Sequence, residues 1–313
     1  MNLRHTPLDL GISRPWLATL VGALVAAAFG CQRAAPPFEW NDSVVKEIET
    51  WRAQHEDSYT RNWATIEGLH FLKIGTQTAG SAPDNDVVLI ASLPERLGKF
   101  SVASDVVTFE PEPGAALTIN GKPTAGPTVL RDDGEEEEDV IEANGATVVV
   151  HRSGPRMSLR VRDPNGERAR TFEGFDWFPI SADYYVLGRF IADAAPRSLP
   201  VVNTFGDVDN YQTEGVVEFE LNGETLRLRP FTTEPGRFYF VFNDASSGEE
   251  TYEAARFLYS DSRRDGTTIL DFNSAYNPPC SFNPFTTCPI PLPENRLPIK
   301  VLAGEQKYRG AEP

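Results

Sequence analysis

The sequence predicts a mainly β protein led by one helix, and three observations carry that reading. Helical periodicity is confined to residues 40–62. Beyond it, strand-like runs recur about every ten residues between turn-forming residues, the spacing of a β-sandwich. The chain then ends in a run, LDFNSAYNPPCSFNPFTTCPIPLPENRL at 270–297, too rich in proline for a sheet interior.

The helix rests on Val44, Val45, Ile48 and Trp51, whose spacing of three and four gives one apolar face. Asp42 or Ser43 is expected to cap it, with Glu47 near the positive end of the helix dipole. The runs DVVLI, GKFSV, VVTFE, ALTIN, ATVVVHR and SLRVRD then predict a β-sandwich over 63–162. Within it, RDDGEEEED at 131–139 is expected to be a solvated turn, because a like-charge block so dense resists burial. Asp163-Pro164-Asn165-Gly166 marks a junction. A second β-rich domain over 163–313 follows, from YYVLGRFI, VVNTF, GVVEFEL, ETLRLRPF, RFYFVFND and TTILDFN. Asn222-Gly223 is a two-residue hairpin turn, and TYEAARFLYS fits either a strand or a short helix.

The first residues have the plan of an export signal. Arg4 and Arg14 precede the apolar run 16–30, which is shorter than the roughly 20 residues of a membrane span. Residues 1–30 are therefore expected to be a signal peptide and 31–39 a tether. Gly30-Cys31 has the form of a lipidation site, so a lipid on Cys31 would anchor the chain to the membrane at the cell envelope. Cleavage after Ala26-Ala27-Ala28 without a lipid is the alternative. Lys plus Arg number 29 against 45 Asp plus Glu, a net charge of −16. That balance excludes nucleic acid as an expected partner, since phosphate affinity needs clustered cations.

The terminal run holds the candidate chemistry. Cys280 and Cys288 have seven residues between them, and in an exported chain such a pair reads as a disulfide, with free thiols or a metal site as the alternatives. A metal would need two further ligands, and the available imidazoles, His55, His70 and His151, are distant in sequence. No metal site and no cofactor is expected. The prolines hold the loop extended, which lowers the entropic cost of any binding it does. Asp271, Asn273, Tyr276, Asn277, Asn295 and Arg296 are the candidate ligand-binding residues. A carboxylate, amides and an arginine suit a sugar or a carboxylate. They also suit plain structure, with Asx side chains capping turns and Arg296 paired to Asp271. There is no HExxH, GxSxG or P-loop motif. Asp271 with Glu294 would be the acid–base pair of a carboxylate-dependent hydrolase.

The signature DFN-x-AYNPPC…CP-x-P-x-P-ENRL-P…AGE resembles the DUF1684 family, a group without an assigned activity. WATIEGLHFLKIGTQTAGSAPDNDVVL, FDWFPI and NDASSGEETYEAARFLY extend the resemblance to about residues 44–308. The first half also resembles a forkhead-associated β-sandwich, through GSAPDNDVVL and the Asn-Gly turn of TINGKP. In that fold an arginine after the first glycine grips phosphothreonine; Ser81 stands there in this chain. ERLGKF at 95–100 stands roughly where that fold carries Ser-Arg-x-His, so the resemblance implies a scaffold without the phosphopeptide grip. The functional expectation is a binding module at the cell envelope for a small polar molecule or glycan. A hydrolase and a structural envelope scaffold are the alternatives.

Overall fold

Asn41 opens the helix that leads the fold. Its side chain accepts hydrogen bonds from the N–H groups of Ser43 (2.8 Å) and Val44 (3.4 Å), so the cap lies one residue before the expected Asp42 or Ser43. Helix α1 spans Asp42–Asn62, burying Ile48 and Tyr59. The computed structural model describes residues 39–124 and 126–309, all within one compact unit of residues 37–313. The expected signal peptide 1–30, the lipidation site Cys31 and nearly all of the tether 31–39 lie outside the described residues. No helix among those described is long and apolar enough to cross a membrane.

The protein is mainly β, with a first assembly of eleven strands among the described residues. These are β1 (Ile66–Phe71), β2 (Gly75–Gly80), β3 (Val87–Val88), β4 (Gly98–Ala103), β5 (Val106–Pro111), β6 (Thr118–Ile119), β7 (Lys122–Pro123), β8 (Thr128–Leu130), β9 (Val140–Ala143), β10 (Ala146–Ser153) and β11 (Arg156–Arg162). They form a six-stranded sheet, β1-β11-β10-β9-β6-β7, and a five-stranded sheet, β3-β2-β4-β5-β8. Phe100 and Phe109 of one sheet share a core with Ile141, Val148 and Leu159 of the other, which makes a sandwich. Alternation in β4 and β5 follows the period of two that covers one face of each strand.

The acidic segment departs from expectation at its ends. Gly134–Glu137 is exposed, but Asp132 and Asp139 are buried. Charge pairing makes this possible: Arg152 reaches Asp132 at 2.7 Å and Arg131 reaches Asp139 at 2.8 Å. Asp133 likewise turns inward, to His151 and Arg160, each at 2.7 Å.

After the short helix α2 (Glu167–Thr171) comes the second assembly. Its strands are β12 (Tyr185–Val202), β13 (Val208–Leu221), β14 (Glu224–Leu228), β15 (Phe231–Glu234), β16 (Arg237–Phe242), β17 (Arg256–Asp261) and β18 (Thr267–Asp271). The sheets are β14-β13-β12-β18 and β15-β16-β17. The ambiguous TYEAARFLYS is thus a strand at its end, and Asn222 and Gly223 turn between β13 and β14 with φ of 54° and 78°. β16 is apolar on both faces because both are covered. Phe238, Phe240 and Phe242 pack toward the four-stranded sheet, while Tyr239 and Val241 pack toward Phe257 and Cys288.

The proline-rich run lies between these assemblies and α1. It is interrupted by 3-10 turns at Pro279–Ser281 and Pro293–Asn295, so it is not extended throughout. Asn283 donates to the carbonyls of Trp63 and Ile66, both at 2.9 Å, and Thr287 meets His151 of β10 at 2.8 Å. The run therefore ties the second assembly to the first as well as closing the second.

Candidate functional site

The structure separates the residues that the sequence grouped. Asn273, Asn277 and Asn295 are 0% exposed, with amides bonded to neighbouring chain. Asn273 joins Ser181, accepting from its N–H at 2.9 Å and donating to its carbonyl at 3.0 Å. Asn277 donates to Glu305 and to the carbonyl of Gln306, both at 2.7 Å. Asn295 accepts from the N–H of Arg229 (2.7 Å) and donates to the carbonyls of Arg229 (2.8 Å) and Val241 (2.9 Å). These amides cross-link backbone that would otherwise be buried without partners.

Asp271 and Glu294 line different cavities. Glu294 is half exposed, 3.4 Å from Arg229, in a shallow groove with Arg296, Glu218 and Arg227. Asp271 accepts from Asn273 and from the hydroxyl of Ser274, each at 2.9 Å, and is not paired to Arg296 as expected. The nearby cation is Arg52, whose guanidinium donates to the carbonyls of Asn273 (2.8 Å) and Phe178 (3.0 Å). Burial raises the Asp271 carboxyl above its ordinary range, although those hydrogen bonds pull the other way.

The cysteines correct another expectation. Cys280 and Cys288 are free thiols rather than a disulfide, with the backbone N–H of Cys280 on the Cys288 sulfur at 3.4 Å. Hydrogen bonds hold the loop in its place: Thr286 to the Asn283 carbonyl (2.9 Å), and Thr204 to the Cys288 carbonyl (2.9 Å). The contact with Cys288, and then burial, push the Cys280 thiol up.

Two cavities are bounded by residues of both α1 and the β16–β17 sheet. The larger, about 540 Å³, is bounded by Trp51 of α1, Tyr185 of β12, Arg237 of β16, Tyr259 of β17 and Asp271 at the end of β18. Glu47, Asp261 and Arg263 add charge at its edges. The Arg237 guanidinium lies 4.8 Å from the centre of the Tyr259 ring, which itself stacks on Tyr239 at 4.8 Å. The smaller cavity, about 300 Å³, is bounded by His55 and Tyr59 of α1, Tyr259, Tyr276, and Thr287 and Cys288 of the loop. His55 sits 4.5 Å from the Tyr276 ring and 4.9 Å from Trp51, and burial depresses its pKa to about 4. It stays neutral at physiological pH.

Of the candidate ligand-binding residues, Asp271 and Tyr276 line these cavities, in different ones. Trp51, Tyr185, Arg237 and Tyr259 were not foreseen as lining residues. Trp51 reads as one position of the apolar helix face, and nothing in RFLYS distinguishes Tyr259 from a core tyrosine.

Fold and geometry together define a class: a mainly β protein with an aromatic-lined cleft beneath its leading helix. Residues 170–306 match the sequence profile of a family described as "Protein of unknown function (DUF1684)". That span takes in FDWFPI and the whole C-terminal signature, and it is narrower than the 44–308 suggested by the motifs. No curated protein matches the chain. Among solved structures, the chain is similar to the solution NMR structure of an uncharacterized protein of Haloarcula marismortui. The two are 28% identical over 46% of this chain and 82% of that one, with a TM-score of 0.38.

Proposed function

We propose that this protein binds a small polar, carbohydrate-like ligand in the larger cavity beneath α1, and does so at the cell envelope, held by a lipid on Cys31. The observation that carries the reading is the meeting, in one cavity, of aromatic Trp51, Tyr185 and Tyr259 with charged Arg237, Asp261 and Asp271. A sugar ring offers C–H faces to aromatic rings and hydroxyls to carboxylates and guanidinium groups, so it uses both. The separation of Asp271 from Glu294 weighs against the two-carboxylate hydrolase. The sandwich fits a forkhead-associated-like scaffold turned away from phosphopeptides: the Ser81 hydroxyl is spent on the Leu93 carbonyl at 2.9 Å.

The test is titration of the exported chain with neutral and uronic mono- and oligosaccharides, read by tryptophan fluorescence and calorimetry. Binding is expected to saturate. Trp51→Ala and Arg237→Ala are each expected to weaken it at least tenfold, a loss of about 1.4 kcal/mol. Glu294→Gln and Arg296→Ala, in the separate groove, are expected to leave it unchanged. If no saccharide saturates the cleft, or if the groove variants abolish binding, the cleft reading fails.

A further inference from the structure

We propose that Thr287, His151 and Asp133 form a hydroxyl–imidazole–carboxylate relay, with Thr287 the nucleophile toward small carboxylic esters whose apolar part fills the smaller cavity. The relay is assembled from three segments. His151 of β10 is 7% exposed, and both ring nitrogens are engaged. Nδ1 lies 2.7 Å from Asp133 Oδ2, and Nε2 lies 2.8 Å from Thr287 Oγ1.

Proton placement follows from the partners. Asp133 also accepts from Arg160 at 2.7 Å and from the N–H of Arg152 at 3.2 Å, the surroundings of an ionised carboxylate. Burial pulls its pKa upward, but the bonds from His151 and Arg160 outweigh that and hold it below the usual range. An ionised Asp133 fixes the proton of a neutral imidazole on Nδ1. Nε2 is then the acceptor, and the Thr287 O–H donates to it. This is the orientation a general base needs before it takes a hydroxyl proton. Asp133 and Arg160 are positioning residues.

Thr287 also borders a space in which a substrate could sit. Thr287 is half-buried and bounds the smaller cavity together with His55, Tyr59 and Tyr276. At about 300 Å³, with aromatic walls, the space suits a short acyl chain or a phenyl ring.

The chemistry balances without a co-reactant other than water. The Thr287 oxygen adds to the ester carbonyl carbon as its proton passes to His151 Nε2. The bond to the alcohol oxygen breaks, and the alcohol leaves with that proton. Water, losing a proton to Nε2, then displaces threonine from the acyl group. The carboxylic acid departs and the Thr287 hydroxyl regains its proton.

The experiment uses the exported chain with p-nitrophenyl acetate and butyrate at pH 8, together with an aryl fluorophosphonate read by intact mass and peptide mapping. Turnover and a label on Thr287 are expected. Thr287→Val and His151→Gln are expected to reduce turnover about 100-fold or more, and Asp133→Asn at least tenfold. Thr287→Ser, which keeps the hydroxyl, is expected to retain both turnover and label. Wild-type chain that is folded by circular dichroism yet shows neither turnover nor label overturns the proposal. Turnover that survives Thr287→Val overturns it equally. Because Trp51 and Arg237 lie outside the relay, loss of saccharide binding in their variants bears on the cleft and not on this reaction.

Discussion

At the scale of single residues, the asparagines of the terminal run decide what the run is for. A buried backbone group left without a partner costs about 1–3 kcal/mol. Asn295 satisfies three such groups at once, on Arg229 and Val241. Asn295→Ala is therefore expected to lower unfolding free energy by about 2–4 kcal/mol, measured by urea denaturation. Its neighbour Arg296 is exposed, and Arg296→Ala is expected to stay within about 0.5 kcal/mol of wild type. Equal losses in the two variants would contradict the assignment of Asn295 as a cross-link. From sequence, an amide that binds a sugar and one that binds a carbonyl look alike, because both offer the same donor and acceptor. At Asn273, Asn277 and Asn295 the amides bond to neighbouring backbone and, for Asn277, to Glu305.

At the scale of elements, α1 was legible because its signal is local. Of the face set by spacings of three and four, Ile48 is buried and Val44, Val45 and Trp51 are half-buried, and the cap was displaced to Asn41. Asn41→Ala is expected to cost about 1 kcal/mol, seen as fraying of the first turn in amide exchange; protection unchanged there would show that the cap contributes nothing. Many of the strands were legible for the same reason, down to the Asn222-Gly223 turn, but β1, β2, β8 and β9 lie outside the expected runs, and YYVLGRFI and the start of VVNTF belong to one strand, β12. What local pattern could not supply was the partner of each element. Trp51 reads as a core position, yet its ring sits at the edge of a cavity because α1 spans the β16–β17 sheet without filling the space beneath. His151 and Thr287 are 136 residues apart, and no spacing rule links them. The acidic block misled at its first end because the cations that neutralise Asp132 and Asp133, Arg152 and Arg160, come from neighbouring strands, while Asp139 is paired within the block to Arg131.

At the scale of the whole molecule, the C-terminal strap closes the fold around a buried carboxyl. Gly304 has φ of 78° and lies so near the Ala275 carbonyl that a Cβ would stand 2.2 Å from that oxygen. The close passage places Glu305, 1% exposed, against Asn277, whose N–H and side-chain amide donate to it at 3.0 and 2.7 Å. Those bonds do not offset the loss of water, and burial pushes the Glu305 pKa up to about 8, from an ordinary value of 4.5. Between these two values the unfolded chain has released a proton that the folded chain keeps. Stability contributed by this group is complete below about pH 4.5 and falls as pH rises toward 8, by at most about 1.4 kcal/mol per unit. Above pH 8 both states are ionised and the slope ends. His55 works in the opposite sense, since its folded pKa near 4 removes stability as pH falls from about 6.5. Glu305→Gln keeps the shape and removes the proton, while His55 is common to both chains. The difference in unfolding free energy between Glu305→Gln and wild type is therefore expected to shift in favour of the variant steadily from pH 5 to pH 8. Urea titrations at unit intervals measure it, and parallel stability curves for the two chains would show that Glu305 is ionised in the folded state.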